Sequence, residues 1–472
     1  MTDITGVLAK ADTNLDASLE RLFDLVRIPS ISTDPAYRDA CRKAAEWLVS
    51  DLQSLGFTAS VRDTPGHPMV VAHHDGATPD APHVLFYGHY DVQPVDPLSL
   101  WETDPFTPSV RELSPDRTPG RTPGRKVITG RGTSDDKGQL MTFVEACRAY
   151  KDTHGSLPCR VTVLFEGEEE SGSPSLKPFL TANAQELTAD YALVCDTGMW
   201  DSETPAISAG LRGLVGEEVV VTAADRDLHS GMFGGAAANP IHILSRILAG
   251  LHDETGRVTL NGFYDGVEET PTQIKAAWET LGQTAEKMLG EIGLSIPSGE
   301  QGRSVLELTW ARPTAEVNGI TGGYSGEGFK TVIASKASAK ISFRLVGQQD
   351  PAAIRSAFRD YVRAQIPADC SVEFHEHGGS PAIQLPYDSP LLNTAKSALS
   401  EEWPKAAVII GMGGSIPIVG DFQKMLGMES LLVGFGLSDD RIHSPNEKYD
   451  LQSFHKGIRS WVRILDALAT AR

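Results

Sequence analysis

At 472 residues the chain is too long for one ordinary hydrophobic core and comfortable for two domains. Hydrophobic residues make up 40% and glycines number 45, the composition of a folded, turn-rich chain and not of a disordered one. The 42 basic and 62 acidic side chains leave a formal charge of −20, which repels phosphate backbones and anionic lipid; nucleic acid and membrane surfaces are therefore not expected as partners. Five scattered cysteines (Cys41, Cys147, Cys159, Cys195, Cys370) suggest neither a disulfide framework nor a C-x-x-C metal site. The first twenty residues lack a basic stretch followed by an apolar one, and no apolar run is long enough for a bilayer, so a cytoplasmic protein is the default expectation.

In chain order, apolar spacing predicts a helix over 14–28 (Leu15, Leu19, Leu22, Phe23, Val26) and another over 37–55 (Ala44, Leu48, Leu52). A short apolar strand follows over 83–87, then a helix over 138–150 and strands over 160–165 and 190–195. Much later, 407–410 and 431–435 read as buried strands bounded by glycines. This alternation argues for an α/β sheet covered by helices.

Between about 211 and 381 the pattern changes. Strands are expected over 219–222, within 330–346 and over 371–376, with helices over 240–251, 271–294 and 351–366. Such a unit forms a separate α+β layer of ferredoxin-like type, inserted into the first domain. The expected division is 1–210 and 382–472 for the interrupted domain and 211–381 for the insertion. The tandem RTPGRTPG at 117–124 reads as a surface loop or hairpin tip, with no function assigned.

Several of these strands run directly into polar clusters. The 83–87 strand leads to His89 and Asp91, the 160–165 strand to Glu168, Glu169 and Glu170, and the 190–195 strand to Asp196. The 431–435 strand is followed, past a short loop, by His443, and Asp135 precedes the 138–150 helix. Ligands of open α/β sheets bind outside the carboxyl ends of the strands, where these groups converge. Singly, each has a plainer reading: a hydrogen-bonded structural histidine, a solvated acidic turn, an N-cap aspartate. Together they favour metal, because adjacent carboxylates at a strand end repel unless cations neutralise them. Imidazole plus carboxylate without thiolate suits zinc, with manganese or cobalt as substitutes, and argues against calcium.

The motifs GHYDVQP, GRGTSDDKG, EGEEESGS, DLHSGMFGG, GGSIP and IHSPNEKY occur in this order, together with a strand ending in Asp196. In this the chain resembles the zinc-dependent family of cytosolic nonspecific dipeptidases, carnosinases, acetylornithine deacetylases and succinyl-diaminopimelate desuccinylases. EGEEESGS, DLHSG-x-FGG and YSGEGFKTVIASKASAKISFRLV are similar to the dipeptidase branch in particular. The resemblance implies a zinc-peptidase catalytic domain with a mostly parallel or mixed sheet, interrupted by a lid and dimerisation domain. It implies two zinc ions per subunit, His89 and Asp196 on one, Glu170 and His443 on the other, and Asp135 bridging them across a cis bond to Asp136. Asp91 would orient His89, and Glu169 would act as general base in hydrolysing the amide bond of a dipeptide or short peptide. For the substrate it implies His229, which reaches the active site of the other subunit of a homodimer, and Arg344 as a clamp on the terminal carboxylate. Asn318, Thr331, Gly414 and Ser415 complete the implied substrate contacts. An N-acyl-amino-acid deacylase with the same site is the alternative function, and a metal-binding protein without catalysis a further one.

Overall fold

The computed structural model describes residues 4–113, 124–414 and 416–470; Ser415 and all of the RTPGRTPG repeat but Gly124 lie outside them. The chain divides into two compact units. The first comprises Met1–Ala209, Leu385–Ile410 and Asp421–Arg472, and the second Gly210–Gln384 with Gly411–Gly420. The short Gly411–Gly420 segment thus clusters with the second unit, although sequence order alone leaves it in the first.

A six-stranded mixed sheet centres the first unit, in the order Thr58–Arg62, Met69–His74, Arg160–Glu166, His83–His89, Tyr191–Val194, Glu429–Leu432. The last four strands are mutually parallel and the first two run antiparallel at one edge. Burial on both faces explains the unbroken apolar runs that mark the parallel strands in the sequence: every residue of His83–His89 after the first is buried. The helices at Leu15–Val26 and Arg38–Ser54 bury the stripes their spacing predicts, Leu19, Leu22, Phe23 and Val26 on one and Ala44, Leu48 and Leu52 on the other. Behind the sheet, Phe86 stacks on Phe143 with ring centroids 3.8 Å apart, and Trp461 meets both edge-on at 5.5 and 5.6 Å. These three rings lock the His83–His89 strand, the Lys137–His154 helix and the C-terminal Leu451–Thr470 helix into one block.

The second unit has a four-stranded antiparallel sheet in the order Thr314–Gly322, Lys336–Leu345, Gly213–Thr222, Ser371–Ser380. With helices at Pro240–Ala249 and Pro351–Arg363, the chain order is β-α-β-β-α-β, the ferredoxin-like arrangement. Ile243, Leu244, Ile247, Ile354, Phe358 and Val362 form the helical side of its core. The buried Glu217 accepts hydrogen bonds from Arg355 (3.0 Å) and Arg359 (2.7 Å), tying the second helix to the central strand. The helix expected over 271–294 is instead two short ones, Thr272–Glu279 and Ala285–Gly290. Gly282 adopts a left-handed conformation (φ +66°) that ends the first, and the Thr284 side chain accepts from Lys287 N to start the second. No helix among the described residues is long and apolar enough to cross a membrane.

An ionic contact ties the Leu15–Val26 helix to the Lys137–His154 helix. The buried Glu145 accepts from Ser18 Oγ (2.6 Å), from both Arg21 Nε (2.7 Å) and its terminal nitrogen (2.6 Å), and from Arg148 Nε (3.2 Å). Burial works to raise the Glu145 carboxyl, yet these donors hold it below its ordinary value. Its contribution to stability is therefore present above the unfolded-state value and lost as pH falls through the lower folded value. Glu145→Gln is expected to cost about 3 kcal/mol, the low end for a broken buried pair because Arg21 keeps some solvent contact. Urea unfolding at pH 7 checks this, and the difference from wild type should shrink as pH falls below about 4.

Candidate metal centre

Parallel pairing decides where the polar clusters go. His83–His89 runs parallel to Arg160–Glu166 on one side and Tyr191–Val194 on the other, so all three strands end at the same edge. His89 is the last residue of its strand, Glu169 and Glu170 form the turn just past theirs, and Asp196 lies two residues beyond Val194. Asp135 arrives from a different direction, in the turn before the Lys137–His154 helix, and its bond to Asp136 is cis. At Gly138, an added Cβ would overlap the Thr133 carbonyl, so only glycine lets the helix start against this turn. His443 sits in the loop after Glu429–Leu432 with φ +61°, a left-handed backbone that a non-glycine residue holds only when its surroundings impose it.

The five implied ligands form two groups that share one member. Donor atoms of His89, Asp135 and Asp196 lie within 4.8 Å of one another, and so do those of Asp135, Glu170 and His443. Asp135 divides its oxygens: Oδ1 is 3.0 Å from His89 Nε2, and Oδ2 is 2.9 Å from His443 Nε2. His443 Nε2 is also 3.2 Å from Glu170 Oε2, and His89 Nε2 is 3.9 Å from Asp196 Oδ2. Asp136 takes no place in either group; its Oδ2 accepts the backbone N–H of His89 at 3.1 Å and so holds the end of that strand.

Asp91 links the two halves of the centre. Its carboxylate accepts the backbone N–H groups of Glu169 (3.2 Å) and Glu170 (3.0 Å). His89 Nδ1 faces the Asp91 carbonyl at 3.1 Å and its carboxylate at 3.4 Å, leaving Nε2 to point at Asp135. Gln93 donates to Glu170 Oε2 (2.7 Å), while the buried Oε1 of Glu170 has no hydrogen-bond partner.

The electrostatics call for positive charge. Burial pushes the Asp196 carboxyl well above the usual range and raises that of Glu169, with His89 opposing in both cases. Burial also works to raise Asp135, but hydrogen bonds from His443 and His89 overcome it and hold the carboxyl low. Those same bonds lift His443 to about 10, and His89 rises despite its burial. Such a nest of carboxylates draws protons onto both imidazoles; a divalent cation at each group satisfies the same demand, and the unpartnered Glu170 oxygen, with it. Oxygen and imidazole donors without thiolate fit zinc, and the shared carboxylate fits a pair of ions.

The implied substrate contacts among the described residues belong to the second unit. His229 ends a two-stranded ladder opposite Val332, exposed, its Nδ1 accepting from Gly231 N at 2.9 Å. Thr331 is beside it, its carbonyl accepting from Ser230 N at 3.1 Å. Arg344 lies half-buried on the Lys336–Leu345 strand, between Leu214 and Thr314. Asn318 is exposed at the bulge in the neighbouring strand, and Gly414 is exposed in its loop. Two residues with a part in the centre's geometry carry no sequence signal of their own: Gln93, inside GHYDVQP, and Glu447, inside IHSPNEKY.

Residues 85–467 match the sequence profile of Peptidase family M20/M25/M40. A Cys-Gly metallodipeptidase of Schizosaccharomyces pombe is 32% identical over 475 residues, 97% of each chain. Among solved structures, a dipeptidase of Saccharomyces cerevisiae, Dug1p, aligns with a TM-score of 0.78 at 26% identity, covering 99% of this chain and 98% of that one. An M20 family metallo-carboxypeptidase of Sulfolobus solfataricus aligns at 0.79 and 28%, covering 96% and 99%. On profile, length and fold alike, this chain is a member of Peptidase family M20/M25/M40.

Proposed function

We propose that the protein is a two-zinc dipeptidase, with Glu169 as its general base. The observation that carries this reading is the division of the Asp135 carboxylate between two imidazole–carboxylate groups, with Glu169 next to a ligand of one of them. His89 and Asp196 would hold one ion, Glu170 and His443 the other, and Asp135 both. Zinc bound there supplies Lewis acidity toward the scissile carbonyl and lowers the pKa of a water toward about 7.

The remaining work falls to side chains. Glu169 takes a proton from the attacking water and gives it to the departing amine nitrogen, so one carboxylate serves as base and then acid. Its burial favours proton capture, because a desolvated carboxylate holds a proton better than an exposed one. Asp91 keeps Glu169 and Glu170 in register by holding both of their backbone N–H groups, so the shuttle and the ligand cannot shift independently. In the second unit, the planar fork of Arg344 suits a terminal carboxylate, the group every dipeptide presents. His229 donates to the oxyanion of the tetrahedral intermediate, which in a homodimer places it over the other subunit's centre. The dipeptidase reading also draws on the Schizosaccharomyces and Saccharomyces relatives, both named for dipeptide cleavage.

Glu169→Gln should keep close to two zinc ions per chain by elemental analysis while turnover falls about 10²–10⁴-fold; unchanged turnover contradicts its assignment. Against a panel of dipeptides and N-acyl amino acids, with zinc or manganese added, the dipeptides are expected to be cleaved. Turnover confined to the N-acyl amino acids would make the protein a deacylase instead.

A further inference from the structure

Asp135 and His443 meet at 2.9 Å, yet neither belongs to a helix or strand, and they come from loops some three hundred positions apart in sequence. Something must hold those loops in register to within a few tenths of an ångström. Glu447, four residues after His443 and fully buried, occupies the junction. Its Oε2 accepts from Arg131 (2.8 Å) and from the backbone N–H of Gly132 (3.0 Å). Its Oε1 accepts the backbone N–H groups of Ser134 (2.9 Å) and of Asp135 itself (3.1 Å). The Glu447 carbonyl adds a fifth contact, from Gly130 N at 3.1 Å. Ser134 Oγ bonds to Asp440 Oδ2 at 2.7 Å, a second rung between the same two loops.

From this we infer that Glu447 is a positioning residue for the shared carboxylate: it gathers the main-chain donors of the 130–135 turn around one side chain and so fixes Asp135 against His443. The inference rests on the two-metal reading of the centre. Its chemistry is specific to a carboxylate, because every contact is a donor pointing inward and both oxygens accept twice. An amide of the same shape accepts on one side only. On the other side its NH₂ meets either Ser134 N and Asp135 N or Gly132 N and Arg131, donor against donor. Glutamine therefore keeps the volume and loosens the turn that carries the bridge.

The test uses the full chain, freed of metal and titrated with cobalt(II), whose visible spectrum reports the geometry of the bound ion. Wild type is expected to take up two ions. Glu447→Gln should bind at least one of them about 10–100-fold more weakly, with a changed spectrum, and kcat should fall while KM for a dipeptide stays within a few-fold. Glu402→Gln serves as control: Glu402 is buried and held by Lys456, Arg459 and Arg463, so its loss lowers the melting temperature without changing cobalt affinity or spectrum. If Glu447→Gln also loses only thermal stability, keeping wild-type affinity and spectrum, the inference is overturned and Glu447 is merely structural. Should that variant not accumulate folded, Glu447→Asp, which keeps the charge but draws the oxygens back by one methylene, is held to the same outcomes. Wild type that fails to bind two ions defeats the two-metal reading and this inference together, whereas a variant with wild-type affinity defeats the inference alone.

Discussion

Five carboxylates, those of Asp91, Asp135, Glu169, Glu170 and Asp196, crowd the ends of three parallel strands with two imidazoles as their nearest counterparts. Left to themselves, charges of one sign brought out of water at this spacing oppose folding. The remainder of the first unit can be understood as the framework that holds them there. The aromatic block of Phe86, Phe143 and Trp461 fixes the strand that ends in His89 and the helix that follows Asp135. Backbone N–H groups neutralise part of the charge at Asp91, Asp136 and Glu447. What these donors leave over is the charge that a pair of divalent cations would balance.

The same logic separates this cluster from another set of acids nearby. Asp439, Asp440 and Asp450 also bring ligand atoms together, but Lys448 lies 2.6–3.3 Å from all three and Arg125 pairs with Asp450. Lys448 and Arg125 offset two of the three charges, so the group pairs with resident cations and braces the loop that carries His443. At the strand ends the only basic partners within the two groups are imidazoles, which are themselves good ligands when neutral. Proximity of acids is thus common to both clusters, and the identity of their counter-charges distinguishes them.

A feature is legible in the sequence when it depends on side chains that pattern along the chain. His89, Asp196 and the Glu169–Glu170 pair stand out because each follows an apolar strand within a few residues, and parallel pairing then carries them to one edge. The insertion is visible because its alternating β-rich stretch over 330–346 differs from the continuous apolar runs around it. The edge strand Thr58–Arg62 is harder: only Ala59 in it is buried, so it shows no apolar run. The expected long helix over 271–294 fails at Gly282, where one left-handed residue outweighs an otherwise helical composition. Glu447 is the least legible of all, since its meaning lies in backbone N–H groups 312 to 315 positions away, and every residue type has those. Sequence patterns report side chains that face a core; they are silent on side chains that serve the main chain of a distant loop.

Whether Asp135 bridges two metal ions is decided by diffraction from zinc-loaded crystals at the zinc absorption edge. Two anomalous peaks are expected about 3.5–4 Å apart, one beside His89 and Asp196 and the other beside Glu170 and His443, with one Asp135 oxygen on each. A single peak, or two peaks with Asp135 bound to only one of them, would contradict the bridge.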